Sequence, residues 1–325
     1  MASALSGDDV YGEDESITEL EHHVALQTGK EKALFVMTGT MGNLLSIMAQ
    51  CDRGDEIICG HLSHLSKYEQ GNLAQFGGVH SRQVINQRDG TIELDSAFSS
   101  GYFSNDDFHS CQTKLICIEN THNMLGGLVL DSENYLRQLY TRAHENSCFI
   151  HTDGARLVNA AVAENKSLKD LCAYTDSVSI CFTKGLGAPV GAAIAGSSGV
   201  IDRARRLRKG LGGQWRQGGH LAAVCKYALD NYLEPIERDH HYAKYWAEEL
   251  IDIGYDVVKP QTNIVLISMK TAQQAEQLVN QLADRNVHVQ QAAEASYVRA
   301  VFHRSVDYTK LDDSLLIMKQ LKSVD

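Results

Sequence analysis

Between Ala33 and Ala195 the chain alternates short, continuously apolar runs with longer stretches whose apolar residues fall at helical spacing. The runs are Ala33–Met37, Glu56–Cys59, Leu115–Ile118, Phe149–Thr152, Val178–Phe182 and Ala192–Ala195. Apolar runs without alternation predict strands buried on both faces, hence a parallel or mostly parallel sheet between helical layers, the α/β class. Ahead of them, Ser16-Ile17-Thr18-Glu19 has the spacing of a capping box, Leu20, Val24 and Leu26 follow, and Gly29 stops the pattern; a helix is predicted over about 16–28. After about residue 215 the texture changes to long helical stretches, then strands at Asn263–Ile267 and Tyr297–Val301 with a helix at Ala272–Asp284 between them. This predicts a large domain over 1–230 and a smaller C-terminal α/β domain over 231–325.

Length agrees with that division, since 325 residues at ~150 per domain give two domains with a large core. Three prolines and no Ser/Gly linker predict that the domains are closely packed. The net charge of −11 repels phosphate backbones and anionic lipid, so no nucleic-acid partner is expected. No stretch approaches the ~20 apolar residues of a membrane span, and the acidic N-terminal segment lacks the form of a secretory signal, which predicts a cytoplasmic protein. The eight cysteines show no C-x-x-C pair, several lie inside apolar runs, and they read as small core residues rather than a disulfide framework.

Three segments carry chemistry. In Ala33–Leu45 an apolar run meets a small-residue turn and then a helix; Gly39 and Gly42 admit an anion to the backbone, Thr40 adds a hydroxyl, and free N–H groups at the helix start suit a phosphate. Taken alone this is also the look of an ordinary N-cap, and it is neither a P-loop nor a G-x-G-x-x-G fingerprint. In Cys148–Arg156 an acid, Asp153, follows a buried strand directly. In Ser177–Gly187 a lysine, Lys184, follows another before a glycine turn. Their separation of 31 residues fits one βαβ crossover, which places both at the same sheet edge. A strand-end lysine can form a Schiff base while an acid holds a pyridinium nitrogen protonated. Individually, a strand-end Asp is often a turn residue and a Lys is usually solvated. Together with the phosphate turn they describe a site for pyridoxal 5'-phosphate.

Seven segments, in order along nearly the whole chain, resemble the threonine aldolase family: GDDVYGED from Gly7, LFVMTGTMGN at 34–43, SHLSKYEQG at 63–71, ENTHN at 119–123, HTDGARL at 151–157, FTKGLGAPVG at 182–191 and YVRAVFH at 297–303. The resemblance implies a beta-eliminating lyase of the aspartate aminotransferase-like fold (PLP fold type I), a large, mostly parallel three-layer domain plus a smaller one. It implies an aldolase that cleaves L-threonine or L-allo-threonine to glycine and an aldehyde. Lys184 resembles the Schiff-base lysine, Asp153 the partner of the pyridine nitrogen, and Gly39 and Thr40 the phosphate binders. Arg156 matches a residue near the ring oxygen or substrate. His64 matches the histidine stacked on the cofactor ring and His122 a second active-site histidine; either is a candidate base for the β-hydroxyl. Arg299 resembles the arginine that grips the substrate carboxylate, a task suited to a planar fork of donors. Lys209, Arg216, Tyr11 and Tyr68 match positions lining the site, some reaching it from a neighbouring subunit, so a homodimer or homotetramer with interface active sites is implied.

Other readings compete with parts of this one. His61 and His64 are three residues apart, a possible helical metal pair, but no further ligand spacing supports zinc and no metal is expected. The basic run Arg203, Arg205, Arg206, Arg208 and Lys209 reads as a solvated helix face or subunit contact in so acidic a chain. Two departures from the family pattern stand out. The chain starts at Met1 without the Ser-Asp-Thr segment usual ahead of GDDVYG, so an arm that helps bury the site is expected to be absent. Gln214, Trp215 and Phe302 replace residues that are smaller or different in the family, which predicts a reshaped substrate pocket. The rival functions are an amino-acid (alanine) racemase using the same apparatus and a non-catalytic scaffold. Against the scaffold, a dead site has no physical reason to retain a buried lysine opposite a buried acid.

Overall fold

The computed structural model describes residues 1, 3–99 and 108–323, and the chain divides into two compact units. The first comprises Met1–Thr121 with Leu130–Tyr232, the second His122–Val129 with Leu233–Asp325. The first is built on a seven-stranded sheet of β1 (Lys32–Val36), β2 (Glu56–Gly60), β3 (His80–Val84), β4 (Thr113–Glu119), β5 (Phe149–Gly154), β6 (Ser177–Cys181) and β7 (Ala192–Gly196), in the order β1-β7-β6-β5-β4-β2-β3. Strands β3, β2, β4, β5 and β6 pair in parallel, and β7 runs antiparallel to both β6 and β1. With β7 alone reversed, β1 points the same way as β6, and six C-terminal strand ends share one edge.

Successive residues of these strands serve opposite faces. Ile57, Cys59, Leu115 and Cys117 enter one core cluster, whereas Ile58, Ile116, Ile118 and Ile150 enter another. Both faces are therefore covered, which is why β2, β6 and β7 are buried at every position and are mostly apolar. Strand β3 is the exception: HSRQV occupies a sheet edge, is largely polar, and shows no apolar run. A third cluster packs helix Gly39–Gln50 and helix Ser198–Gly210 on β1 and β7 through Leu34, Val36, Leu45, Ile194, Ile201 and Ala204. A Cβ at Gly42 would stand 3.0 Å from Ile194 Cγ2, so glycine lets helix Gly39–Gln50 lie this close to the sheet.

The first helix runs Glu15–Thr28, but the predicted capping box does not form. Asp14 is the N-cap, its Oδ1 accepting from the N–H of Ile17 at 3.1 Å, while Ser16 Oγ donates to the carbonyl of Leu5. Asp14 outcompetes Ser16 because its other oxygen also accepts from the N–H of Gly219 and from Ser6 Oγ, so one carboxylate ties three segments.

The second unit is an antiparallel sheet in the order β10-β11-β9-β8, with β8 (Asp256–Val258), β9 (Ile264–Ser268), β10 (Gln290–Gln291) and β11 (Tyr297–Val301). Helices Leu233–Ile253, Ala272–Ala283 and Leu311–Lys322 bury their apolar faces in one core with it. Phe302 belongs to that core at 4% exposure, edge-on to Trp246 at 5.8 Å and parallel to Tyr308. Its bulk goes into packing, which corrects the expectation that it reshapes a substrate pocket. All eight cysteines are free and seven are buried; burial lifts the Cys59 thiol to about 11 and Cys51, Cys148, Cys172 and Cys225 to about 12. Among the described residues no helix is long and apolar enough to cross a membrane.

Candidate active site

The shared strand edge of the first unit collects most of the candidate residues. After β1, Thr38 caps helix Gly39–Gln50 with Oγ1 accepting from the N–H of Met41 at 3.1 Å, so Gly39 and Thr40 occupy the first two helical positions. Their N–H groups and the positive end of a three-turn helix offer a place for a phosphate. After β2, His64 opens the short helix His64–Lys67, its backbone N–H donating to Glu119 Oε2 at 2.8 Å at the end of β4. Asp153 lies near the end of β5 beside β6, in register with Ser179, and Lys184 follows β6 in the turn that leads to β7. The crossover geometry expected from the 31-residue spacing is thus present, with helix Leu157–Glu164 inside it.

Asp153 is buried and its carboxylate is fixed at both oxygens. Oδ1 accepts from the N–H of Ala155 at 3.0 Å and Oδ2 from Asn43 Nδ2 at 2.9 Å. The other hydrogen of the Asn43 amide goes to Glu69 Oε1 at 2.9 Å, and that same oxygen accepts from His64 Nδ1 at 3.0 Å. Glu69 is buried, whereas the His64 side chain is 28% exposed and its ring lies 5.7 Å from that of Tyr68. The bond to Glu69 raises the His64 pKa from its ordinary 6.5; partial burial opposes this, Asp153 assists, and the positive charge of Lys184 opposes it. Burial pulls the Arg156 pKa down while the charges of Glu119 and Asp153 push it back up.

The donor set fits pyridoxal phosphate. It pairs a helix N-terminus for the phosphate with a carboxylate held by two N–H donors for a pyridinium nitrogen, and adds a lysine on the adjacent strand end and a half-open imidazole within their electrostatic reach. His64, Glu69 and Asp153 also bring ligand-type atoms within 4.8 Å of one another. The amide nitrogen of Asn43, donating to both carboxylates, plays the part a cation would take there.

His122 and Arg299 belong to the second unit. Arg299 lies on β11 and donates through Nη2 to Asn123 Oδ1 at 2.6 Å, which ties it to the ENTHN segment. The buried His122 is set beside Leu128 by a backbone hydrogen bond of 2.8 Å. Tyr11, Lys209 and Arg216 are exposed, and Arg216 pairs with Asp8 of the N-terminal segment at 2.6 Å. Among the described residues no hydrogen bond or ion pair joins these three to His64, Asp153 or Lys184.

The basic run lies on a helix face where Arg203, Arg206 and Lys209 are exposed, and three of its arginines also make intramolecular ion pairs. Arg203 pairs with Asp52, Arg205 with Glu21, and the buried Arg208 with Asp9 at 2.8 Å. Gln214 Nε2 donates to Asp9 Oδ2, which anchors the N-terminal segment, and Trp215 lies 5.3 Å from Phe35 on β1. Sequence reasoning passed over Asn43, Glu69 and Glu119. The available signal was a buried-face asparagine four residues past Gly39 and an acid five residues past His64.

Residues 1–272 match the family model described as beta-eliminating lyase. A probable low-specificity L-threonine aldolase from Arabidopsis thaliana is 41% identical, covering 94% of this chain and 87% of its own. The low specificity L-threonine aldolase of Escherichia coli K12 is 38% identical over 96% of this chain and 90% of its own. A solved threonine aldolase from Leishmania major superposes with a TM-score of 0.81 at 20% identity, covering 99% of this chain and 93% of that one.

Proposed function

Because the chain belongs to the threonine aldolase family of beta-eliminating lyases, a pyridoxal-phosphate-dependent group, we propose that it cleaves L-threonine and L-allo-threonine to glycine and acetaldehyde. The observation that carries the reading is the meeting of Gly39, Thr40, Asp153, Lys184 and His64 along one sheet edge. When bound, pyridoxal phosphate supplies the electron sink that lets a Cα–Cβ bond break.

The remaining work falls to the protein. The N–H groups of Gly39 and Thr40 would hold the phosphate, and Lys184 Nζ would be the covalent anchor of the cofactor. Asp153, both oxygens already oriented, holds a proton on the pyridine nitrogen. Because His64 Nδ1 is engaged by Glu69, its Nε2 is the atom left to hold or move a proton. His64 would cover the ring, and either His64 or His122 would take the β-hydroxyl proton. Arg156 serves the ring oxygen or substrate, Arg299 holds the substrate carboxylate with its fork of donors, and Tyr68 lines the site.

Tyr11, Lys209 and Arg216 are presented to a neighbouring subunit of a homodimer or homotetramer, a reading supported by their exposure. The eight free thiols support a cytoplasmic enzyme. The test is acetaldehyde release from each threonine isomer by purified protein with pyridoxal phosphate, beside a Lys184→Ala control. Release that requires Lys184 supports the aldolase; D-alanine from L-alanine without acetaldehyde would make the protein a racemase, and failure to bind the cofactor would make it a scaffold.

A further inference from the structure

We propose that Asn43 is a positioning residue that couples the cofactor-facing acid Asp153 to the His64–Glu69 pair, its amide being locked from behind by the buried His151. The inference rests on the cofactor site described above and concerns how its two halves communicate.

Two carboxylates accept from one amide nitrogen, Glu69 Oε1 and Asp153 Oδ2 each at 2.9 Å, and this leaves Asn43 no choice of orientation. Its Oδ1 must then be the acceptor of the remaining contacts, 2.8 Å from Ser179 Oγ and 3.2 Å from His151 Nε2. His151 therefore carries its proton on Nε2, and its Nδ1 accepts from Ser177 Oγ at 2.9 Å. Ser177 Oγ in turn accepts from Gln50 Nε2 at 2.8 Å. Every hydrogen along the path Gln50–Ser177–His151–Asn43 has one direction, and Asn43 uses both donors and both acceptor sites. Full burial drives the His151 pKa down to about 4, so the neutral form the chain requires is the one present near neutrality.

Coupling follows from the shared amide. Each acid takes one of its two hydrogens, so the pose of Asn43 is set by both, and what Asn43 gives Glu69 bears on the bond from Glu69 to His64 Nδ1. The charged and titratable groups around His64 are Glu69 on the segment following its helix, Asp153 on β5, Lys184 after β6, and Glu119 on β4, which holds its backbone N–H and faces Arg156; Tyr68 packs on its ring. Only Glu69 bonds its ring among the described residues, and only Asn43 joins that acid to Asp153.

The test uses holoenzyme with selectively labelled histidine, reading the His64 titration by NMR and cofactor affinity by absorbance. Asn43→Ala leaves Glu69 Oε1 to His64 alone, so the His64 pKa should rise by about half a unit, and affinity for pyridoxal phosphate should fall about tenfold as Asp153 loses one of its two donors. Ser46→Ala, a fully buried position on the same helix, should change neither. Glu69→Gln is the second variant: it should lower the His64 pKa and, by changing the partner at the shared amide, shift the absorption band of bound cofactor. An unchanged His64 titration and cofactor band in both variants, with cofactor still bound, would overturn the coupling alone. Failure of the wild-type protein to bind pyridoxal phosphate would overturn the site as well.

Discussion

The two sheets of this protein put side chains to opposite uses. In the seven-stranded sheet apolar runs fill both faces, and chemistry is displaced to the turns and helix starts beyond the C-terminal strand ends, where Gly39, His64 and Lys184 stand a few residues past β1, β2 and β6. In the four-stranded sheet Arg299 sits within β11 itself, in register with Leu266, on an antiparallel scaffold given over mainly to one apolar core. A mostly parallel sheet brings many strand ends to one edge and so assembles a polar group from distant segments; a small antiparallel sheet offers one oriented side chain and rigidity.

The contrast predicts that substitutions at the first edge remove chemistry with little effect on stability, and that substitutions in the second core do the reverse. The largest effect is expected from Lys184→Ala, a loss of at least about a thousandfold in acetaldehyde release with the melting temperature of the apo protein nearly unchanged, checked by coupled assay and calorimetry. Asp153→Asn should follow, with turnover falling about a hundredfold and bound cofactor shifting its absorption. Arg299→Lys should raise KM about tenfold with a smaller change in kcat, since a point charge replaces a bidentate fork. Phe302→Ala should cost about 3 kcal/mol of stability in denaturant titration while kcat under stabilising conditions stays within about twofold. An equal loss of activity there would break the distinction between the two sheets.

Proton linkage gives a subtler test. The folded-state pKa of His64 is raised, so its contribution to stability is full below the ordinary 6.5 and disappears as pH rises through the folded value. His64→Ala should therefore destabilise more near about pH 5.5 than near about pH 9, by less than about 1 kcal/mol because the ring is partly solvated. Acting as a base through Nε2, His64 also predicts a rate that rises with pH across that same raised value.

The strand framework was legible because burial on both faces writes itself as uninterrupted apolar residues. Strand β3 was not, since an edge strand may be polar, and the two- and three-residue strands β10 and β8 are too short to carry a period. Asp153 and Lys184 were readable because each directly follows such a run. Asn43, His151 and Glu69 were not, for a polar side chain looks the same in the sequence whether it meets water or a buried partner brought to it by the fold, more than a hundred residues away in the case of Asn43 with Asp153 and His151. The helix start teaches this at the smallest scale. Asp14→Ala should cost about 1–2 kcal/mol and Ser16→Ala less than about 0.5, because the carboxylate that caps the helix is also the acceptor for Gly219, a partner no local motif reveals.

The assignment of His122–Val129 to the second unit has a consequence for how this gene can be divided. Within that unit the octapeptide is stitched to its C-terminal companions: Thr262 Oγ1 donates to the carbonyl of Gly127 at 2.7 Å, the N–H of Val129 donates to Gln261, and Asn123 accepts from Arg299. A fragment ending at Tyr232 would carry the octapeptide without those companions, and a fragment beginning at Leu233 would lack it. Separating the units at the genetic level therefore takes three junctions rather than one, so chimaeras between relatives should exchange 122–129 together with everything after 232.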